Sequence, residues 1–156
     1  MQEDALDVFI TELLPLATLL TPNIPEAEIL ANRKIENAED IKAAAAAICK
    51  LGCRYVLIKG GHFDGAEKVD YLFEDGKLKT SYRGISVNTR NTHGTGCTLS
   101  SAITSYLARE MDMNTAIAMA KTYLSGAILA GKDIKIGEGH GPVNHFYEPK
   151  SLFTKS

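Results

Sequence analysis

The chain reads as a layered α/β domain. Two short apolar runs, residues 17–21 and 54–59, have the composition of buried parallel strands. The segments between and after them carry apolar residues at helical spacing. An Asp-Gly pair at Asp75-Gly76 marks a hairpin between the second strand and the last helices. The order strand, helix, strand, hairpin, helix, helix argues for an α/β layered domain.

Each element follows from local chemistry. Residues 4–14 place Leu6, Phe9, Ile10 and Leu13 on one helical face, and Pro15 closes the helix. The strand at residues 17–21 ends at Pro22. Pro25 suits the first turn of a helix through Ala31, because its missing N–H would lack an intrahelical partner anyway. Residues 37–51 form the clearest helix, acidic at the start, alanine-rich and stopped by Gly52. The strand at residues 54–59 runs into Gly60-Gly61. Strands at 69–73 and 77–82 flank the Asp75-Gly76 turn. Residues 98–111 and 114–130 are amphipathic helices, with Asn114 as the expected N-cap of the second.

The 156 residues carry 17 Lys and Arg against 19 Asp and Glu, a formal charge of -2. No basic surplus argues for nucleic acid or an anionic membrane as partner. The apolar runs are too short to span a bilayer, and the N-terminus lacks the pattern of an export signal. The three cysteines, Cys49, Cys53 and Cys97, are an odd set, so reduced thiols in a cytoplasmic, single-domain chain are expected over residues 1–156.

The most informative string is Asn91-Thr92-His93-Gly94-Thr95-Gly96-Cys97-Thr98-Leu99-Ser100-Ser101-Ala102. Two glycines and small hydroxyl residues stand directly before an apolar-periodic run, which is a tight loop opening a helix. Such a loop presents backbone N–H groups to an anion at the positive end of the helix dipole. No Gly-Lys-Ser/Thr follows, so it is not the common nucleotide loop. A plain helix start would use the same residues.

Two more strings accompany it, Thr21-Pro22-Asn23-Ile24-Pro25-Glu26-Ala27-Glu28 and Val56-Leu57-Ile58-Lys59-Gly60-Gly61-His62. In this order the three resemble the C-terminal half of the ribokinase-like superfamily. More closely, they resemble the hydroxymethylpyrimidine/phosphomethylpyrimidine kinases of thiamine biosynthesis. The resemblance covers residues 13–145; the family's N-terminal half has no counterpart. It implies a ribokinase-like (Rossmann-like) layered sandwich with a mostly parallel sheet, whose motifs share the edge at the strand C-terminal ends, where open α/β sheets bind ligands.

The resemblance also assigns roles, for ATP and Mg2+ as cofactors and a small pyrimidine as acceptor. Gly94, Thr95 and Gly96 with Cys97 become the anion hole for the transferring phosphoryl group, a charge-stabilising device that suits such chemistry. Cys97 takes the place where most of the superfamily carries an aspartate base, and this kinase branch has cysteine there. It either accepts the acceptor proton or orients the hydroxyl. Lys59 contacts phosphate oxygens, Thr92 joins the nucleotide contacts, and Asn23 with Glu26 holds magnesium through water. Magnesium keeps several waters and takes few protein ligands. Helix capping by Asn23 and Glu26 is the plainer alternative, and the two roles are compatible.

Other candidates carry less. Cys49, Cys53 and His62 do not make a four-ligand zinc site, and the two cysteines read as buried structural thiols. His140 and His145 lie in a tail resembling the family's terminal segment and read as structural or near-nucleotide. His93 shapes the loop. The absent half would supply most of the pyrimidine pocket, so a homodimer or a partner chain is expected to complete the sheet. Two alternatives to pyrimidine phosphorylation are a non-catalytic nucleotide-binding module and a kinase of pyridoxal-type substrates.

Overall fold

The computed structural model describes residues 3–61, 69–84 and 87–149. The chain divides into two compact units, Met1–Gly84 and Ile85–Ser156.

The first unit begins with α1, Glu3–Val8, which widens into a π-helical turn at Phe9–Leu13 and tightens into a 3-10 turn at Leu14–Leu16. Pro15 explains the change: it offers no N–H, and its ring clashes with the carbonyl four residues back. β1 is Leu19–Leu20, α2 is Ile24–Ala31 and α3 is Ala38–Lys50. β2, Tyr55–Gly61, is followed by β3, Val69–Glu74, and β4, Lys77–Arg83. The sheet order is β1-β2-β3-β4.

β1 pairs parallel to β2, whereas β3 and β4 continue antiparallel. The sheet is therefore mixed, and the expected mostly parallel pairing is confined here to β1 and β2. The reason is local: Asp75 and Gly76 both have positive φ, 50° and 76°. Consecutive positive φ values let two residues reverse the chain with the strands' own twist.

α3 buries Ile41, Ala44, Ala45 and Ile48, spaced three and four apart, against the sheet. Val56, Leu57 and Ile58 in β2 have no exposed surface, as befits a strand covered on both faces. Each of these aliphatic side chains contributes about 1.5–3 kcal/mol on burial.

The second unit is a helical hairpin, α4 at Thr95–Ala108 and α5 at Met113–Gly131, with a tail that returns across it. α4 begins at Thr95, earlier than the apolar pattern implies, because Gly94 at φ 82° turns the chain directly into the helix. Asp112, not the expected Asn114, is the N-cap of α5. Its side chain accepts from the Asn114 and Thr115 amides at 3.0 and 3.1 Å and from the Thr115 hydroxyl at 2.6 Å. A carboxylate with three donors outcompetes an amide side chain two residues later. Among the described residues no helix is long and apolar enough to cross a membrane.

Candidate active site

In the first unit the candidate residues meet where β1 and β2 end. The parallel pairing outlasts β1: the Lys59 amide donates to the Pro22 carbonyl at 2.8 Å, and Asn23 bridges Lys59. Asn23 then caps α2. Its Oδ1 accepts from the Glu26 amide at 2.9 Å, while Glu26 Oε2 accepts from the Asn23 amide at 2.8 Å. This capping box sets both side chains at the head of the helix, beside the half-buried Lys59.

The box tests whether these residues suit a hydrated magnesium ion. Both are solvent-exposed, and Glu26 Oε1 lies outside the reciprocal pair. One carboxylate oxygen and one amide oxygen, rigidly placed, fit a cation that retains most of its water. Capping and metal holding are therefore compatible in this geometry.

Asp70 joins this group, and sequence reasoning missed it. It is 8% exposed, and its Oδ1 accepts the Gly60 amide at 2.8 Å. The available signal was a carboxylate inside the otherwise apolar run Val69-Asp70-Tyr71-Leu72-Phe73. His62 lies outside the described residues.

In the second unit, Thr92, Gly94, Thr95, Gly96 and Cys97 form the turn into α4. The Thr95 amide bonds the Thr92 carbonyl at 3.3 Å and the Thr98 amide the Gly94 carbonyl at 2.8 Å. The Gly96 and Cys97 amides belong to the first helical turn, whose donors have no acceptor within the helix. They lie at the positive end of a 14-residue helix, and the Cys97 thiol is exposed beside them. Amides so placed at a helix start can receive an anion.

The loop is anchored from the tail. Asn91 Nδ2 donates to the Gly131 and Ile134 carbonyls, each at 2.6 Å. The His93 amide donates to the Gly141 carbonyl at 3.1 Å, and His93 bridges Pro142. Gly141 has to be glycine here, because a Cβ would stand 2.2 Å from Asn91 Oδ1. His93 thus acts on the loop through its backbone. His145 lies against the start of α4: its Nε2 lies 2.9 Å from the Thr98 hydroxyl, and its carbonyl accepts from the Tyr123 hydroxyl at 2.9 Å. Cys97, Thr98, Tyr106, Arg109, Tyr123 and His145 line a cavity of about 770 Å³. His140 instead bonds the Arg90 carbonyl at 3.2 Å.

Cys49 and Cys53 have no place in either group. Cys53 Sγ donates to the Tyr55 carbonyl at 3.1 Å, Cys49 Sγ lies 3.8 Å from the Arg54 carbonyl, and burial pushes both thiols up. They are structural, protonated thiols.

A lysine at a strand end in the first unit and a glycine turn opening a helix in the second, on an α/β scaffold, are features of the ribokinase-like class. Residues 1–144 match the sequence profile described as phosphomethylpyrimidine kinase, and the chain belongs to that family. A hydroxymethylpyrimidine/phosphomethylpyrimidine kinase from Rhizobium meliloti is 44% identical over 148 residues, which are 94% of this chain and 55% of that protein. The crystal structure of a phosphomethylpyrimidine kinase from Clostridium difficile is 42% identical, with a TM-score of 0.67 over 81% of this chain and 50% of that one. The pyridoxal kinase of Staphylococcus aureus in complex with AMP-PCP is 32% identical, with a TM-score of 0.84 over 95% of this chain and 54% of that one. The chain thus spans about half the length of the relatives it matches.

Proposed function

We propose that this chain carries the nucleotide-phosphate and phosphoryl-transfer machinery of an ATP-dependent kinase acting on hydroxymethylpyrimidine and its monophosphate, in thiamine diphosphate biosynthesis. The observation that carries the reading is the turn at Gly94, whose φ of 82° starts α4 with the Gly96 and Cys97 amides leading and the Cys97 thiol exposed.

Phosphoryl transfer requires positioning and neutralisation of charge, with little covalent work by the protein. The Gly96 and Cys97 amides receive the transferring group where its charge builds. Cys97 orients the acceptor hydroxyl and accepts its proton late. Lys59 is a compact point charge for phosphate oxygens. Thr92, fixed between Asn91 and the helix, adds a hydroxyl to the nucleotide contacts. Through its waters, Asn23 and Glu26 would hold magnesium, which would supply neutralisation of phosphate charge.

The pyrimidine pocket and the remainder of the sheet come from a partner chain or from a further part of a longer protein, and the assembly works in the cytoplasm. A pyridoxal-type acceptor is the second reading, favoured by the TM-score of 0.84 with pyridoxal kinase. Phosphorylation assays with both acceptors, on this chain supplemented with the unmatched portion of the Rhizobium meliloti relative, test the proposal. Faster turnover of the pyrimidine supports it, and transfer only to pyridoxal overturns it.

A further inference from the structure

The end of β2 is not regular. Ile58 stands opposite Tyr71 and Gly61 opposite Val69, so Lys59 and Gly60 together face the single residue Asp70. A two-against-one bulge bends its strand and re-aims the side chains at it, and such bulges collect beside active sites. Gly60 has φ 75°, a conformation that costs glycine nothing and other residues a good deal. The Gly60 amide, turned out of the ladder, donates to Asp70 Oδ1 at 2.8 Å. On its other side, the Lys59 amide is tied to the Pro22 carbonyl at 2.8 Å.

A buried carboxylate is costly unless it is well partnered. Asp70 is 8% exposed, in a strand whose Leu72 and Phe73 are completely buried. Packing alone would favour an apolar residue at its position. The carboxylate supplies an acceptor for the Gly60 amide, directly after Lys59.

We propose that Asp70 is a positioning residue for Lys59: it locks the Lys59-Gly60 bulge and so fixes where the lysine leaves the sheet to meet phosphate. This inference rests on the reading of Lys59 as a phosphate contact. In this role Asp70 acts through the backbone and not by contact with nucleotide or acceptor. It acts by removing alternative backbone conformations that would let the long lysine side chain sample unproductive positions.

The test is calorimetric titration of the full chain with MgATP, in a double-mutant cycle. Asp70→Ala weakens binding about tenfold, as expected of coupled neighbours, and adds nothing in the Lys59→Ala background. Asp70→Asn, which keeps the acceptor oxygen, binds within about twofold of the parent. Gly60→Ala disturbs only the backbone, since an added Cβ meets no atom within 4 Å. It weakens binding as Asp70→Ala does, and it serves the same cycle should Asp70→Ala fail to fold. Losses that multiply with Lys59→Ala, or an Asp70→Asn variant as weak as an unsupported bulge, overturn the inference. No heat from the parent chain at saturating MgATP overturns the nucleotide reading and this inference together. Binding lost in Lys59→Ala but unaltered in Asp70→Ala and Gly60→Ala overturns this inference alone.

Discussion

The Thr98 hydroxyl and the His145 imidazole lie 2.9 Å apart although 47 residues separate them in sequence. Thr98 is buried in the first turns of α4, directly after the exposed Cys97 thiol. His145 is in turn held by the Tyr123 hydroxyl on its carbonyl. The tail thus fixes the start of the helix that carries the candidate anion site.

Removing that tie weakens the second unit. Thr98→Val keeps the shape of the side chain and deletes the hydroxyl. It is expected to cost about 1 kcal/mol in urea unfolding, the net worth of one such hydrogen bond. His145→Ala is expected to cost about the same, and the double variant little more, because both remove one interaction. Stability equal to the parent's in all three variants would dissociate the tail from α4.

Much of this was legible locally. Asn23, Pro25 and Glu26 announce a capped helix start, and Asp75-Gly76 announces a hairpin, because caps and tight turns are decided by adjacent residues. The glycine turn before α4 was equally visible in the string from Asn91 to Ala102. The sequence pattern places the start of α4 late because Thr95 and Gly96 are poor helix formers, and only the φ of Gly94 shows that the helix already includes them. Asp112 and Asn114 are both good caps, and which one serves depends on where the turn after Arg109 delivers the chain. Asp70 is hidden for another reason, and so is the partner of His145, which the sequence marks only as structural or near-nucleotide. Their partners, Gly60 and Thr98, are supplied by the tertiary fold and leave no mark on neighbouring sequence.

Acid sensitivity of the first unit should trace to Glu74. Its carboxylate pairs with Lys79 and accepts from the Tyr55 hydroxyl at 2.6 Å and from Arg54 Nη2 at 2.7 Å. These partners, Lys79 foremost, hold it at about 2, below its ordinary 4.5. A carboxyl held low binds fewer protons folded than unfolded, so its stabilising contribution is complete above the ordinary value and is lost as pH falls toward and through about 2. The difference in thermal midpoint between the parent and Glu74→Gln should be largest near neutrality and shrink steadily below about pH 4. A difference that stays constant into acid would remove Glu74 from the account.

Cys97 should matter for turnover and little for nucleotide affinity. The chain alone is expected to show little or no pyrimidine kinase activity, because the acceptor hydroxyl is not held in line. Complete orientation of reactants is worth roughly 7–11 kcal/mol. With the unmatched portion of a relative supplied in trans, activity should appear, and Cys97→Ala should lower kcat while leaving MgATP affinity largely intact. An unchanged rate in Cys97→Ala would take the thiol out of the mechanism.

The central claim is that this chain by itself binds nucleotide through its phosphates, using Lys59 and the turn into α4. The most direct measurement is calorimetric titration of the chain with MgATP and, in parallel, with adenosine. The account predicts measurable MgATP binding, adenosine weaker by at least about tenfold because charged phosphate contacts dominate, and MgATP binding reduced in Lys59→Ala. Equal affinity for adenosine and MgATP, or no heat at saturating MgATP, would contradict it.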